Sequence, residues 1–276
     1  MLNQIMRVGD SDIPGIFADT EKTLEQAWKE YGKQAVYLTD QSVLLQKIKQ
    51  LGAASLYLEK AQQEGRSFHS DTDYIWLMED ENDLPDQNYI NRIWQRYMHI
   101  PWQIAETKRL LIRESVMEDL PYFQKFYDEE KDNLDVQPFG KNAKEQLESY
   151  ITRRYPLLEY GLWTIVDKTS GAVIGRAGIE ELPDELEDLA GEPELSYLIG
   201  REYRGKGYAT EACEAILYYA AEELEMERVY VRTSRSNLLS AKVAENLGLL
   251  KVESITEYKD LLYCGLLTFR EGKYII

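Results

Sequence analysis

From Glu194 to Cys213 the chain reads Glu-Leu-Ser-Tyr-Leu-Ile-Gly-Arg-Glu-Tyr-Arg-Gly-Lys-Gly-Tyr-Ala-Thr-Glu-Ala-Cys, and this stretch restricts the fold more than any other. Leu195, Tyr197 and Ile199 alternate with Ser196 and Leu198, the pattern of a strand, and aromatic and branched side chains suit its pleat. Gly200 ends the strand. Gly205 and Gly207 mark a tight loop whose backbone can take positive φ and lie open to a ligand. Beyond it Ala212, Cys213, Ile216, Leu217, Ala220 and Leu224 recur at helical spacing as one apolar stripe. Strand, glycine loop and helix together build an anion site. Loop N–H groups converge, the helix N-terminus adds about half a positive charge, and Arg204 and Lys206 bring two full ones. A diphosphate fits there. The two common phosphate loops are excluded by spacing. The Walker pattern needs four residues between its glycine and Gly-Lys, with Ser or Thr directly after the lysine, and the dinucleotide fingerprint needs a third glycine further on.

With 276 residues the chain has room for one large domain or two modest ones. A net charge of −17 makes nucleic acid a poor partner and draws a cationic one. No run approaches the ~20 apolar residues of a membrane span. Met1-Leu-Asn-Gln-Ile-Met-Arg lacks the basic start and apolar core of a signal peptide. A cytoplasmic protein with no membrane partner is therefore expected. Two cysteines, Cys213 and Cys264, point to a reducing compartment, and Cys213 on its apolar helix face reads as a core residue. Two histidines and no Cys/His cluster speak against zinc, and no metal is expected.

Two domains are expected, both α/β: residues 1–108 and residues 109–276. In the first, helices are expected over Thr20 to Tyr31 and Ser42 to Leu51, with Gly52 as a stop. Strands are expected at Ala35–Leu38, Ala54–Leu58 and Asp73–Leu77, and a third helix at Gln87–Tyr97. Thr39-Asp40 reads as an N-cap pair. Strand, helix, strand is a βαβ unit, so the sheet is expected to be parallel and Rossmann-like. Pro101 to Lys108 reads as the linker. In the second domain Arg109–Arg113 opens as a strand, Ser115-Val-Met-Glu118 reads as a capping box for a helix through Tyr127, and Asn142 to Arg154 is a second helix. Leu162–Val166 and Ala172–Ile179 form a hairpin. Pro183 to Glu192 is an acidic loop. Arg228–Thr233 is a strand, Asn237 caps a helix that ends near Asn246, and strands around Leu249–Ser254 and Tyr263–Arg270 close a mixed sheet.

Arg204, Gly207 and Ala209 occupy the fixed positions of Arg/Gln-x-x-Gly-x-Gly/Ala, and Asn237-Leu-Leu-Ser240 follows at an Asn-x-x-Ser element. From Arg109 onward the chain resembles the GNAT acyl-CoA N-acyltransferases, in the branch related to the ribosomal-protein N-acetyltransferases. That resemblance implies that the strand before the loop splays from the next one and that acetyl-CoA lies in the gap as co-substrate. Tyr197, Leu198 and Ile199 would line its pantetheine arm, and Arg204, Gly205, Lys206, Gly207, Tyr208, Ala209 and Thr210 would hold its diphosphate. Asn237 would contact the arm, or serve only as an N-cap. Ser240 would assist the leaving thiolate. An ammonium is not nucleophilic until it loses a proton, so a carboxylate is required. Glu194 sits where this branch carries its acidic residue, with Glu180 and Glu181 in reserve; Glu211, in the helix's first turn, reads as structural. Gly248-Leu249 departs from the usual Gly-Phe and Ser196 from a common Gly, which leaves the acceptor pocket open.

Thr39-Asp40-Gln through Lys49-Gln-Leu-Gly52 is weakly similar to the end of haloacid-dehalogenase-like folds. Asp10-Ser-Asp12 has the letters of a nucleophile motif there but follows no apolar strand, and a phosphatase would need that aspartate. The first domain is therefore expected to carry no chemistry of its own, and to bind a ligand, a partner or a second copy. The leading reading is an N-acetyltransferase acting by direct attack in a ternary complex on a cationic small-molecule or peptide amine, with a homodimer possible. The alternative is a non-catalytic CoA-binding sensor.

Overall fold

The computed structural model describes residues 13–60, 74–80, 82–130, 142–252, 260–270 and 273–275. It divides into two compact units, Met1–Trp102 and Gln103–Ile276. Asp10, Asp12 and Ser254 lie outside the described residues.

In the first unit β1 (Gly15–Phe17), α1 (Glu21–Tyr31), β2 (Val36–Thr39), α2 (Ser42–Gln50), β3 (Ala54–Lys60), β4 (Ile75–Met78) and α3 (Gln87–Tyr97) follow in turn. The four strands are parallel, in the order β1-β2-β3-β4. Thr20 starts α1: its hydroxyl accepts from the Thr23 N–H, and the Thr23 hydroxyl accepts from the Thr20 N–H. Leu24, Ala27, Leu44 and Ile48 of α1 and α2 bury Tyr37, while Ile90 and Ile93 of α3 bury Val36, Leu38, Leu56 and Leu58 on the other face. A parallel strand covered on both faces has no polar side, which is why the segment around β2 is apolar without alternation.

The expected parallel sheet between helix layers is present, and β1 is a strand the sequence did not announce. The strand order differs from a doubly wound sheet. Crossovers of one hand that step in one direction stay on one face, so α1 and α2 share a face. Among the described strands the order never reverses, and the crevice that a reversal creates for ligands is missing. Thr39-Asp40 is also not the cap of α2. Thr39 is buried in the last position of β2, its hydroxyl accepting from the Gln41 N–H at 3.2 Å, and Gln41 stands at the N-cap with its side-chain amide turned to the Asp19 carbonyl rather than capping the helix.

The second unit comprises β5 (Gln103–Glu106), β6 (Leu110–Arg113), α4 (Leu120–Glu129) and α5 (Ala143–Ser149). α5 continues through a π-helical turn (Tyr150–Arg154) into α6 (Tyr155–Leu158). Then come β7 (Leu162–Asp167), β8 (Val173–Glu181), β9 (Pro193–Ile199), α7 (Tyr208–Glu222), β10 (Arg228–Ser234), α8 (Leu238–Asn246), β11 (Leu250–Lys251), β12 (Asp260–Leu266) and a hairpin of β13 (Thr268–Arg270) and β14 (Lys273–Ile275). Eight strands run β11-β12-β10-β9-β8-β7-β6-β5. All pairs are antiparallel except β9–β10. α4 and α5 cover one face through Phe123, Phe126 and Leu147. α7 covers the other, where Tyr219 meets the buried Trp163 edge-on at 5.4 Å.

Two expectations are corrected here. The linker at Pro101–Lys108 is in fact strand β5 and its turn, and the boundary falls at Trp102 rather than Lys108. The turn carries no glycine signal; it is held by the Glu211 carboxylate, which accepts from the Thr107 hydroxyl 104 residues away at 2.6 Å. Ser115 does not cap α4. Its hydroxyl is buried, 3.0 Å from the Thr164 hydroxyl and 3.2 Å from the Tyr155 hydroxyl. The Asp119 carboxylate takes the Val116 N–H instead, at 3.0 Å, and holds Arg113 by two bonds of 2.7 and 2.9 Å.

Candidate active site

β9 pairs with β8 along its whole length, from Pro193 opposite Glu181 to Ile199 opposite Gly175. With β10 it shares a single register position, Glu194 opposite Tyr230. β10 is held away by β12, to which it is paired at all seven positions. Past Glu194 the two parallel strands therefore diverge, and the β10-facing edge of residues 195–199 is left without ladder bonds. At the far end of this gap lies the glycine loop. Gly205 and Gly207 take φ of 73° and 77°, which side chains resist. α7 begins directly after Gly207, and its first intrahelical bond runs from the Glu211 N–H to the Gly207 carbonyl at 3.1 Å. The N–H groups of residues 207–210 precede that bond and have no carbonyl ahead of them in the helix.

The loop's two cations are engaged within the protein. Arg204 donates to the Ile199 carbonyl at 2.8 Å and pairs with the buried Glu130 at 3.0 Å. Lys206 donates to the Glu202 carbonyl at 3.1 Å and lies over Tyr203. The donors left open at this loop are therefore main-chain N–H groups, so Gly205, Tyr208, Ala209 and Thr210 could meet a ligand there only through the backbone. Leu198 packs into the α4–α5 cluster and Ile199 is buried, so both can meet a ligand in the gap only through their backbone. Tyr197 behaves differently: its hydroxyl lies 2.8 Å from the Ser240 hydroxyl and 3.0 Å from the Ser240 carbonyl. Burial pushes the Tyr197 phenol up. Asn237 caps α8, its side chain accepting from the Ser240 N–H at 3.2 Å.

Glu194 is 7% exposed and faces its cross-strand neighbour Glu180. Burial raises the Glu194 carboxyl above the usual range; Arg232, with Nε 3.5 Å away, pulls it back, and Glu180 adds to the rise. Glu180 is also raised by burial, against the pull of Arg154 and Arg176. Glu181 is different again. Burial would raise it, but bonds from Arg154 at 2.7 Å and the Tyr160 hydroxyl at 2.8 Å outweigh that and hold it low. Glu181 is thereby occupied, whereas burial shifts both Glu194 and Glu180 upward. Arg232 was not foreseen. It follows the β-alternation of Tyr230, but only the parallel register with β9 brings it to Glu194.

A mixed sheet that parts at its one parallel pair, with a glycine loop and a helix N-terminus at the mouth of the gap, defines the acyl-CoA-dependent transferase fold. The profile of the acetyltransferase (GNAT) domain matches residues 109–250, just over half the chain, and the chain belongs to this family. The uncharacterized N-acetyltransferase YjdG of Bacillus subtilis is 31% identical over 101 residues, 37% of this chain and 58% of YjdG. YdaF of the same organism, a candidate ribosomal N-acetyltransferase, is 34% identical over 89 residues, 30% of this chain and 49% of YdaF. The chain thus spans a little over half the length of one relative and about half of the other. Among solved structures an acetyltransferase from Agrobacterium tumefaciens str. C58 superposes with a TM-score of 0.50 at 26% identity, covering 58% of this chain and 92% of that one. Among the described residues no helix is long and apolar enough to cross a membrane.

Proposed function

We propose that the second unit transfers an acetyl group from acetyl-CoA to a primary amine held beside Glu194, by direct attack within a ternary complex. The observation that carries this reading is the divergence of β9 from β10 past Glu194, which leaves a strand edge open along a path that ends on the loop's N–H groups. Those groups fit the donor: the amides ahead of the Glu211–Gly207 bond suit a diphosphate, and the free edge of β9 suits the amides of the pantetheine arm. Bound acetyl-CoA supplies the activated acyl group. The protein's own residues do the rest. Glu194, raised by burial, takes the proton of the ammonium so that the nitrogen can attack. As the C–N bond forms and the C–S bond breaks, the Ser240–Tyr197 hydroxyl pair gives a proton to the departing sulfur, the nitrogen's second proton passes through water to restore that pair, and Glu194 releases the first proton to solvent. Holding both reactants in one gap supplies much of the rate.

The acceptor is read as cationic, supported by the net charge of −17 and by two carboxyls on the face where it would dock. An amine of a ribosomal component is one member of that class, in keeping with the name of YdaF. A cytoplasmic setting accords with the free Cys213 and Cys264. The test is a thiol-release screen of pooled primary amines with acetyl-CoA, run on the wild type and on Glu194→Gln. Amine-dependent release that falls in the variant supports the reading. Tight CoA binding with no release from any amine would replace it with that of a sensor.

A further inference from the structure

Arg109 stands just before β6 and is none of the residues assigned above to binding or transfer. Its side chain reaches the glycine loop at three points. Nη1 donates to the Lys206 carbonyl at 2.8 Å, Nε to the Glu211 carboxylate at 2.5 Å, and the guanidinium lies 4.4 Å from the centre of the Tyr208 ring. The same carboxylate accepts from the Arg109 N–H at 3.0 Å and the Thr107 hydroxyl at 2.6 Å. These bonds outweigh burial and hold Glu211 below the usual carboxylate range. Tyr208 is fixed from its other end, its hydroxyl donating to Asp167 at 3.2 Å. The turn that carries Arg109 is itself tied down: the Lys168 N–H donates to the Arg109 carbonyl at 2.9 Å.

The bond to Lys206 has a directional effect. In a planar trans peptide the carbonyl and the following N–H point to opposite sides. With the Lys206 carbonyl drawn toward Arg109, the Gly207 N–H must point away from it. That N–H is the first of the row that opens α7. A backbone at φ 77° has no side chain to hold it in place, so the orientation of this peptide depends on what grips its carbonyl. Pairing with Glu211 also keeps the guanidinium from swinging out to meet an anion itself.

We propose that Arg109 is a positioning residue for the acyl donor: braced by Glu211 on the β5–β6 turn, it holds the Lys206–Gly207 peptide with its N–H presented to the donor's diphosphate. This rests on the loop being the diphosphate site. The test needs no acceptor. Calorimetric titrations of CoA and of pantetheine, which has the arm but no diphosphate, are compared for the wild type and Arg109→Gln. The dissociation constant for CoA should rise about tenfold, the scale of one well-placed charged-ligand donor lost, with that for pantetheine unchanged. Equal weakening of both ligands would show a general structural role and overturn the proposal, as would an unaltered CoA affinity. Should Arg109→Gln not fold, Arg109→Lys keeps the charge over Tyr208 but makes only one of the two bonds, and serves in the same comparison. A wild type that binds pantetheine as tightly as CoA would instead refute the loop as a diphosphate site, and this inference with it.

Discussion

Replacing Gly207 with alanine isolates what the loop's conformation contributes. Gly207 lies at φ 77° and ψ 10°, in the left-handed region, where a Cβ costs roughly 1–2 kcal/mol. The added carbon meets nothing nearer than Arg109 Nη2 at 3.5 Å, an ordinary contact, so the backbone term is the whole effect. The donor-bound loop must keep this φ for its N–H groups to converge, and the strain must then appear in one of two places. If the free variant holds the conformation, its thermal midpoint falls by about 2–4 °C per kcal/mol and its CoA affinity is kept. If the free loop relaxes, stability is kept and the strain is met on binding, weakening CoA about 5- to 30-fold. Gly191→Ala is the control, with φ 81° and its Cβ in open space before β9. It should lose similar stability and no CoA affinity. Titration calorimetry with CoA and scanning calorimetry on the three proteins decide. A Gly207→Ala protein equal to the wild type in both midpoint and affinity would refute the reasoning, and so would a Gly191→Ala protein that weakens CoA to the same degree.

Glu194→Gln is expected to lower amine-dependent turnover about 10²- to 10⁴-fold with CoA affinity unchanged; full turnover at neutral pH would remove Glu194 from the role of base. Arg232→Gln takes away the charge that pulls the Glu194 carboxyl down, while burial and Glu180 still push it up. The carboxylate then forms at higher pH, and the acid limb of the pH–rate profile should move toward alkaline values; a shift the other way contradicts the assignment. Arg113→Met leaves Asp119, whose side chain is 3% exposed, without its two guanidinium bonds. Urea denaturation should show a loss of about 3–5 kcal/mol, the scale for breaking one side of a buried pair, and a loss under about 1 kcal/mol would mean that Asp119 finds other partners.

Features written in neighbouring residues were legible. α3 has the bounds expected of it, Gln87 to Tyr97. The stripe of Ala212, Cys213, Ile216, Leu217 and Ala220 is the buried side of α7, and Asn237 caps α8. Capping and periodicity act over three or four residues, so one short window contains the whole cause. β5 was not legible, because its turn is closed by Glu211 from the far half of the unit. Ser115 was misread for a related reason. Its local pattern is that of a cap, yet Thr164 and Tyr155, which share no window with it, take its hydroxyl.

The same division runs through the site. The order strand, glycine loop, amphipathic helix was enough to place a positive-φ loop at a helix N-terminus, because both are properties of the local backbone. What faces that site came from pairing. Glu194 meets Glu180 because β8 and β9 are antiparallel in one register, and meets Arg232 because the parallel register sets Tyr230 of β10 opposite Glu194. Arg204, a loop cation by sequence, is turned back onto Glu130, while Arg109, expected only to open a strand, grips the loop. Local chemistry determined where a positive-φ loop opens a helix. Contacts between residues far apart in the chain decided which charges stand beside it, since a strand's register and a long side chain's reach depend on partners that no short stretch contains.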